Sequence, residues 1–272
     1  MATHQLDRMR PNKSAGQQHD QLITTAAAHA RLTCSIDTLI FDLDGTLVDT
    51  GGGIRNAINL ALDQEGLAPL TAEEVTHRVG QGGTALVEYG LLKSRQAPDP
   101  QRIAHLQENY FKHYLSAPIH ATSVYPGVFD MLNRFSSLGV NLAICTNKAS
   151  SLASAVIDGL GLAHYFKNIV YGDSLPHRKP HAHPIEWIVN KACTHADACV
   201  MIGDTENDVL AARNAGVFSI FVNFGYGKLE SLETCPDSVI DHFDDLEPAL
   251  HKIGLKLSEA ISSMAIEMNA AG

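Results

Sequence analysis

The stretch Leu39-Ile40-Phe41-Asp42-Leu43-Asp44-Gly45-Thr46 decides the reading of this chain. An apolar run leads into two aspartates one residue apart and then at once into Gly-Thr. That pattern predicts a buried strand over 38–44 that delivers two carboxylates to the C-terminal edge of a sheet, where open α/β sheets bind ligands. Side chains at i and i+2 leave a strand on the same face, so Asp42 and Asp44 aim at one point. Like charges held that close repel and call for a cation, a shared proton or both. An ordinary strand end closed by an Asp-Gly turn accounts for the turn residues alone.

Beyond about residue 123, strand and helix alternate. Residues 140–146, 168–172, 199–203 and 218–222 read as strands, and 151–159, 184–193 and 207–215 as helices. This βαβ rhythm predicts an α/β fold, a Rossmann-like parallel sheet with helices on both faces. Between the first strand and residue 123 almost everything reads helical: a pattern through Ile54, Ile58 and Leu62, then 72–78, 84–95 and 100–115, broken at Gly66, at 80–83 and at 97–100. The expected organisation is therefore a core of residues 34–52 and 123–272 with a helical block, 53–122, inserted after the first strand. Gly51-Gly52-Gly53 and residues 123–127 are the expected joints. Residues 246–268 predict a closing amphipathic helix or two. Residues 1–33 are polar and then alanine-rich, without the apolar core of a secretory signal, and are expected to be a disordered extension.

Composition narrows the function classes. The 272 residues carry a net charge of −10, so no basic footprint suggests nucleic acid. No apolar run is long enough to span a membrane. Five cysteines without paired spacing fit a reducing, cytoplasmic setting and no disulfide framework. An acidic protein that takes an anionic substrate must concentrate positive charge locally, from a metal, a lysine and backbone N–H groups.

Three further stations follow, each at or just after a predicted strand end. Thr146-Asn147-Lys148 offers a hydroxyl and an amide, neutral donors that hold a phosphate without adding charge. His177-Arg178-Lys179-Pro180-His181-Ala182-His183-Pro184 supplies, in Lys179, a point cation for a transferring phosphoryl group. Its histidines invite a zinc reading, but no nearby cysteine or aspartate completes a ligand set. Gly203-Asp204-Thr205-Glu206-Asn207-Asp208 ends a buried strand in an acid, with a second acid one turn on, and hard oxygen donors suit Mg²⁺.

These four stations together resemble the motifs of the haloacid dehalogenase superfamily, in order and in strand context, over roughly residues 36–227. Arg78-Val79-Gly80-Gln81-Gly82-Gly83, Tyr125-Pro126-Gly127-Val128 and Phe224-Gly225-Tyr226-Gly227 are most similar to phosphoglycolate phosphatases within it. Ala182 stands where many members carry the second proline of Lys-Pro-x-Pro-x-Pro, a departure that alters loop stiffness. The resemblance implies a Mg²⁺-dependent phosphomonoesterase with a helical cap over the site. It implies Asp42 as nucleophile, forming an aspartyl-phosphate, and Asp44 as general acid and base. Asp42, Asp204 and the main-chain carbonyl of Asp44 would hold the metal. Gly45, Thr146, Asn147 and Lys179 would cradle the phosphoryl group, and Asp208 would orient Lys179 or a metal-bound water. Arg78, with His77 and the 80–83 loop, would read a carboxylate on the leaving group.

The expected partner is a small phosphorylated metabolite, with assembly into a homo-oligomer left open. Competing readings are a phosphatase of another small metabolite, a pyrophosphatase and a β-phosphoglucomutase-like phosphotransferase. A silent metal-binding module predicts decay in at least one station, and none has decayed.

Overall fold

The computed structural model describes residues 35–229 and 234–257. The expectations for 1–33 and for 258–268 lie outside the described residues. Six strands form one parallel sheet: β1 (Thr38–Phe41), β4 (Asn141–Cys145), β5 (Asn168–Val170), β6 (Cys199–Gly203), β7 (Phe218–Val222) and β8 (Ser238–Ile240), in the order β5-β4-β1-β6-β7-β8. The chain winds outward from β1 through β4 to β5, then returns to lay β6 against the other side of β1 and winds outward again. The order reverses between β1 and β6, which makes that edge a ligand-binding position in such sheets.

Both faces of the sheet are covered, so its central strands are apolar at nearly every position rather than alternating. Leu39, Phe41, Leu142, Ile144, Val200 and Ile202 pack on one face with α5 (Val128–Ser137), α6 (Ser150–Gly159) and α9 (Leu246–Lys252). Ile40, Ala143, Cys145 and Met201 pack on the other with α7 (His183–Ala192) and α8 (Glu206–Ala215). Phe41 is in register with Ile144 on one side and Ile202 on the other, so Asp42, Thr146 and Asp204 emerge along one edge. The first strand ends at Phe41, short of the expected Asp44: both aspartates stand on the loop that follows it.

The inserted block is four helices: α1 (Gly51–Gln64), α2 (Ala72–Val79), α3 (Gly83–Lys93) and α4 (Pro100–Ser116). Ile54, Ile58, Ala61 and Leu62 of α1 recur at helical spacing and are buried with Leu86 and Leu91 of α3 and Leu106, Tyr110 and Tyr114 of α4. Thr71 and Glu74 form a reciprocal capping box on α2, and Asp99 caps α4 ahead of Pro100. The two crossings between block and core run side by side as a short antiparallel ladder, β2 (Val48–Asp49) with β3 (Ser123–Val124).

The triple glycine corrects the sequence reading. It is not a loose joint but the first turn of α1. A Cβ on Gly52 would lie 2.8 Å from the Ala121 carbonyl oxygen, and one on Gly53 2.7 Å from that of His120. The glycines let the returning segment pass against the helix, so their role is close packing.

Gly53→Ala should therefore destabilise the protein despite alanine's better helix propensity. Forcing the His120 backbone aside costs about 1–3 kcal/mol, against a gain of about 1 kcal/mol from propensity. Urea or thermal denaturation that shows the variant as stable as the parent would contradict this account.

Candidate active site

Eight polar residues gather at the sheet edge where the strand order reverses: Asp42, Asp44, Thr146, Asn147, Lys148, Lys179, Asp204 and Asp208, all buried. Asp42 follows β1 directly, and its N–H donates to the Ile202 carbonyl at 2.9 Å, locking it to the neighbouring strand. Its Oδ1 accepts from Lys179 Nζ at 2.8 Å, and the same ammonium donates to Asp208 Oδ1 at 2.6 Å. Asp208 is fixed in turn by Thr205, whose N–H (3.0 Å) and hydroxyl (2.7 Å) donate to its Oδ2 at the start of α8.

Asp44 faces other partners. Its Oδ1 accepts from Lys148 Nζ at 2.9 Å and from the Thr50 hydroxyl. Two carboxylates two residues apart are thus held by two different lysines.

Asp204 is fully buried. It accepts from the Thr46 hydroxyl at 3.2 Å and from the N–H groups of Tyr226 at 2.8 Å and Gly227 at 3.3 Å. The backbone must come very close to it. Gly45 has φ +87°, and a Cβ there would lie 2.3 Å from Asp204 Oδ2, so no other residue fits this turn. The Tyr226 side chain reaches back to the entry of α1, where its hydroxyl donates to Asp49 Oδ1 at 2.6 Å and accepts from the N–H groups of Thr50 (2.7 Å) and Gly51 (2.8 Å).

Electrostatics follow from this crowding. Burial, reinforced by Asp208 and Asp44 and only partly offset by Lys179, raises Asp42 to about 7 from its ordinary 3.8. Burial together with Asp42 and Asp208 raises Asp204 to about 8, against the two backbone N–H groups that lower it. For the lysines, burial alone would lower the pKa, but neighbouring groups outweigh it and raise both. The neighbours are Asp44 with Tyr114 and Tyr110 for Lys148, and Asp208 with Asp42 for Lys179. When all four carboxylates are ionised they face two ammonium groups, an excess of two negative charges that a divalent cation would neutralise. Carboxylate oxygens of Asp42, Asp204 and Asp208 lie within 4.8 Å of one another, and among the described residues this is the one cluster with the donors for a metal. An all-oxygen set of this kind suits a hard cation. Both oxygens of Asp208 are engaged by Lys179 and Thr205, and both of Asp204 by Thr46 and the Tyr226 and Gly227 N–H groups, so hydrogen bonding does not rank the three carboxylates as ligands.

Not every expected site residue takes the expected part. Asn147 donates both amide hydrogens to backbone carbonyls, Gly80 at 3.0 Å and Lys179 at 2.9 Å, so it ties the block's 80–83 loop to the lysine loop. Asn207 donates to the same Gly80 carbonyl at 3.2 Å. The Gly45 N–H goes to Val48. The Thr146 hydroxyl accepts from the Lys148 N–H at 3.2 Å, which leaves its own proton to donate. Arg78 is not brought to the cluster. Its guanidinium lies 3.4 Å from the Tyr89 ring centroid and donates to the Glu74 carbonyl, both within the helical block. His177 and His181 stack with ring centroids 4.1 Å apart and do not converge with His183 on a point. Lys148 is the residue that sequence reading passed over; its signal was a lysine directly after the Thr-Asn pair at a strand end.

The block closes tightly over the cluster. The cavity bounded by Asp42, Asp44, Thr146 and Lys179 measures about 10 Å³, room for about one water. A wider cleft of about 700 Å³ opens beside it, between His77 and Gly80 of the block and Asn207, Tyr226 and Lys228 of the core. No helix among the described residues is long and apolar enough to cross a membrane, and the four described cysteines are free thiols.

Comparison with known proteins agrees with this geometry. Residues 39–222 match the family model of the haloacid dehalogenase-like hydrolases. A phosphoglycolate phosphatase of Agrobacterium fabrum is 42% identical over 212 residues, 78% of this chain and 91% of the relative. One from Caulobacter vibrioides is 37% identical over 213 residues, 78% of this chain and 90% of the relative. Among solved structures, a predicted phosphoglycolate phosphatase from Haemophilus somnus superposes with a TM-score of 0.73 at 26% identity, covering 78% of this chain and 96% of that one.

The raised carboxylates set a pH dependence. With folded values of about 7 and 8 for Asp42 and Asp204 against 3.8 ordinarily, the metal-free folded chain keeps protons that the unfolded chain has already released. Its stability should fall as pH climbs from about 4 to about 8. Added Mg²⁺ should raise the melting temperature most at the upper end of that range, since a ligand of the folded state stabilises it by mass action. Thermal denaturation in chelator and in Mg²⁺ tests both, and Asp204→Asn should flatten the pH slope and remove the Mg²⁺ response.

Proposed function

Since this chain belongs to the haloacid dehalogenase-like hydrolases, we propose that it is a Mg²⁺-dependent phosphatase that converts 2-phosphoglycolate to glycolate and phosphate. The observation that carries this reading is the division of labour between Asp42, held by Lys179, and Asp44, held by Lys148 and Thr50. Two carboxylates in different surroundings are suited to two roles. The substrate comes from the phosphoglycolate phosphatases among the relatives, at up to 42% identity.

An oxygen of Asp42 attacks phosphorus in line, forming a P–O bond as the bond to the glycolate oxygen breaks. Asp44 gives its proton to the departing oxygen, then takes one from the water that hydrolyses the aspartyl-phosphate. Lys179 and the Thr146 hydroxyl hold the phosphoryl oxygens, and Asp208 fixes the lysine for that task. Mg²⁺, when bound by Asp42 and Asp204, offsets the repulsion between a carboxylate and a phosphate dianion. A cavity of about 10 Å³ is too small for a phosphate, so the helical cap opens to admit substrate and closes to exclude water. The paired strands β2 and β3 are where it would pivot. We place the enzyme in the cytoplasm, where its free thiols are at home.

Phosphate release from a panel of 2-phosphoglycolate, hexose phosphates and pyrophosphate tests the proposal. The wild-type protein should prefer 2-phosphoglycolate and lose turnover in excess chelator. Asp42→Asn should lose activity by roughly 10³-fold or more while keeping its fold. A faster reaction with another phosphoester would overturn the substrate and leave the chemistry standing; undiminished Asp42→Asn turnover would overturn the chemistry.

A further inference from the structure

We propose that Lys148 reads the carboxylate of the substrate, so that selectivity for a small anionic leaving group is built into the core beside the general acid. The inference rests on the reading of the site as a 2-phosphoglycolate hydrolase and names the residue that would make it selective.

Two small cavities adjoin at this point. One, of about 10 Å³, holds the reacting end at Asp42 and Lys179. The second, of about 20 Å³, lies on the far side of Asp44 and is walled by Ile54, Val79, Leu86 and Tyr110 of the cap. Asp44 and Lys148 line both cavities. The leaving oxygen must come within hydrogen-bond reach of Asp44 to receive its proton. Whatever that oxygen carries then extends into the second cavity. In 2-phosphoglycolate the carboxylate is separated from the oxygen by a single methylene, so it arrives next to Asp44, where Lys148 Nζ stands 2.9 Å from Asp44 Oδ1.

The lysine is equipped for a second acceptor. An ammonium has three donors; one goes to Asp44, and the Tyr114 ring face lies 4.6 Å away on another side. Tyr114, 2% exposed, keeps its hydroxyl beside the same ammonium. Arg78, committed to Tyr89, is not available for the same task.

The test compares 2-phosphoglycolate with ethyl phosphate, whose leaving group has the same chain length and no charge. In the wild-type enzyme kcat/KM should favour 2-phosphoglycolate. Lys148→Met should lower it roughly ten- to a hundredfold more for 2-phosphoglycolate than for ethyl phosphate, the range for one charge-assisted hydrogen bond. Product inhibition by glycolate should weaken in parallel, inhibition by inorganic phosphate should not, and Lys148→Arg should recover part of the preference. Equal losses on both substrates would overturn the proposal and make Lys148 a positioning residue for Asp44. Should Lys148→Met fail to fold, the wild-type enzyme still decides. No preference over ethyl phosphate, or glycolate inhibition no stronger than that by glycolamide, overturns the proposal. A wild-type protein that hydrolyses other phosphoesters and not 2-phosphoglycolate would instead overturn the substrate reading, and this inference with it.

Discussion

Four aspartates share one buried cleft, and their mutual repulsion is the constraint on which the rest of the structure depends. Taking carboxylates out of water is costly, and taking several out together is more so. The fold answers with two lysines that are themselves buried, one bridging Asp42 and Asp208 and one paired with Asp44. Removing either partner would leave an uncompensated charge in a site with little water. The lysine loop is tied down by Asn147 and Asp208 by Thr205, so the counter-charges are as firmly placed as the charges they meet. What negative excess remains is of the sign and size that a divalent cation neutralises.

The same constraint explains why the backbone is so tightly drawn here. Asp204 is fully buried, so its carboxylate must find donors in the chain itself, and it finds them in Thr46 and in the N–H groups of Tyr226 and Gly227. That requires the loop after β1 to lie within contact distance of the end of β6, which only a glycine at position 45 permits. The sheet register makes the meeting feasible by setting Phe41 level with Ile202. Electrostatic demand, turn geometry and strand pairing therefore select one arrangement.

Much of this was legible in the chain. β6 and β7 match the sequence reading at both ends, because a continuous apolar run bounded by an acid or a glycine leaves little choice. The acids and Lys179 were legible because each stands at or after a strand end. What escaped depended on contacts far away in sequence. Gly51 to Gly53 reads as a joint until residues 120 and 121 are known to pass against it. β2 and β3, at two residues each, carry no periodicity to detect. The helix Val128–Ser137 went unread although its buried face, Val128, Met131, Leu132 and Phe135, has helical spacing. Arg78 looked like a carboxylate reader because a helix pattern does not reveal that Tyr89, eleven residues on, will stack beneath it. Lys148 was overlooked because a lysine after Thr-Asn reads as solvated loop unless its burial is known.

Tyr226 connects two events that are otherwise separate. Its backbone N–H holds Asp204, and its hydroxyl holds the entry to the cap through Asp49, Thr50 and Gly51. A rotation of the cap that moves α1 strains those hydroxyl contacts and, through one residue, the loop that positions Asp204. Thermodynamic reciprocity then applies: if closure improves the cation's seat, cation occupancy must favour closure by the same factor. A tyrosine spanning the two sites would make the charge state of the cleft and the position of its cover two readings of a single equilibrium.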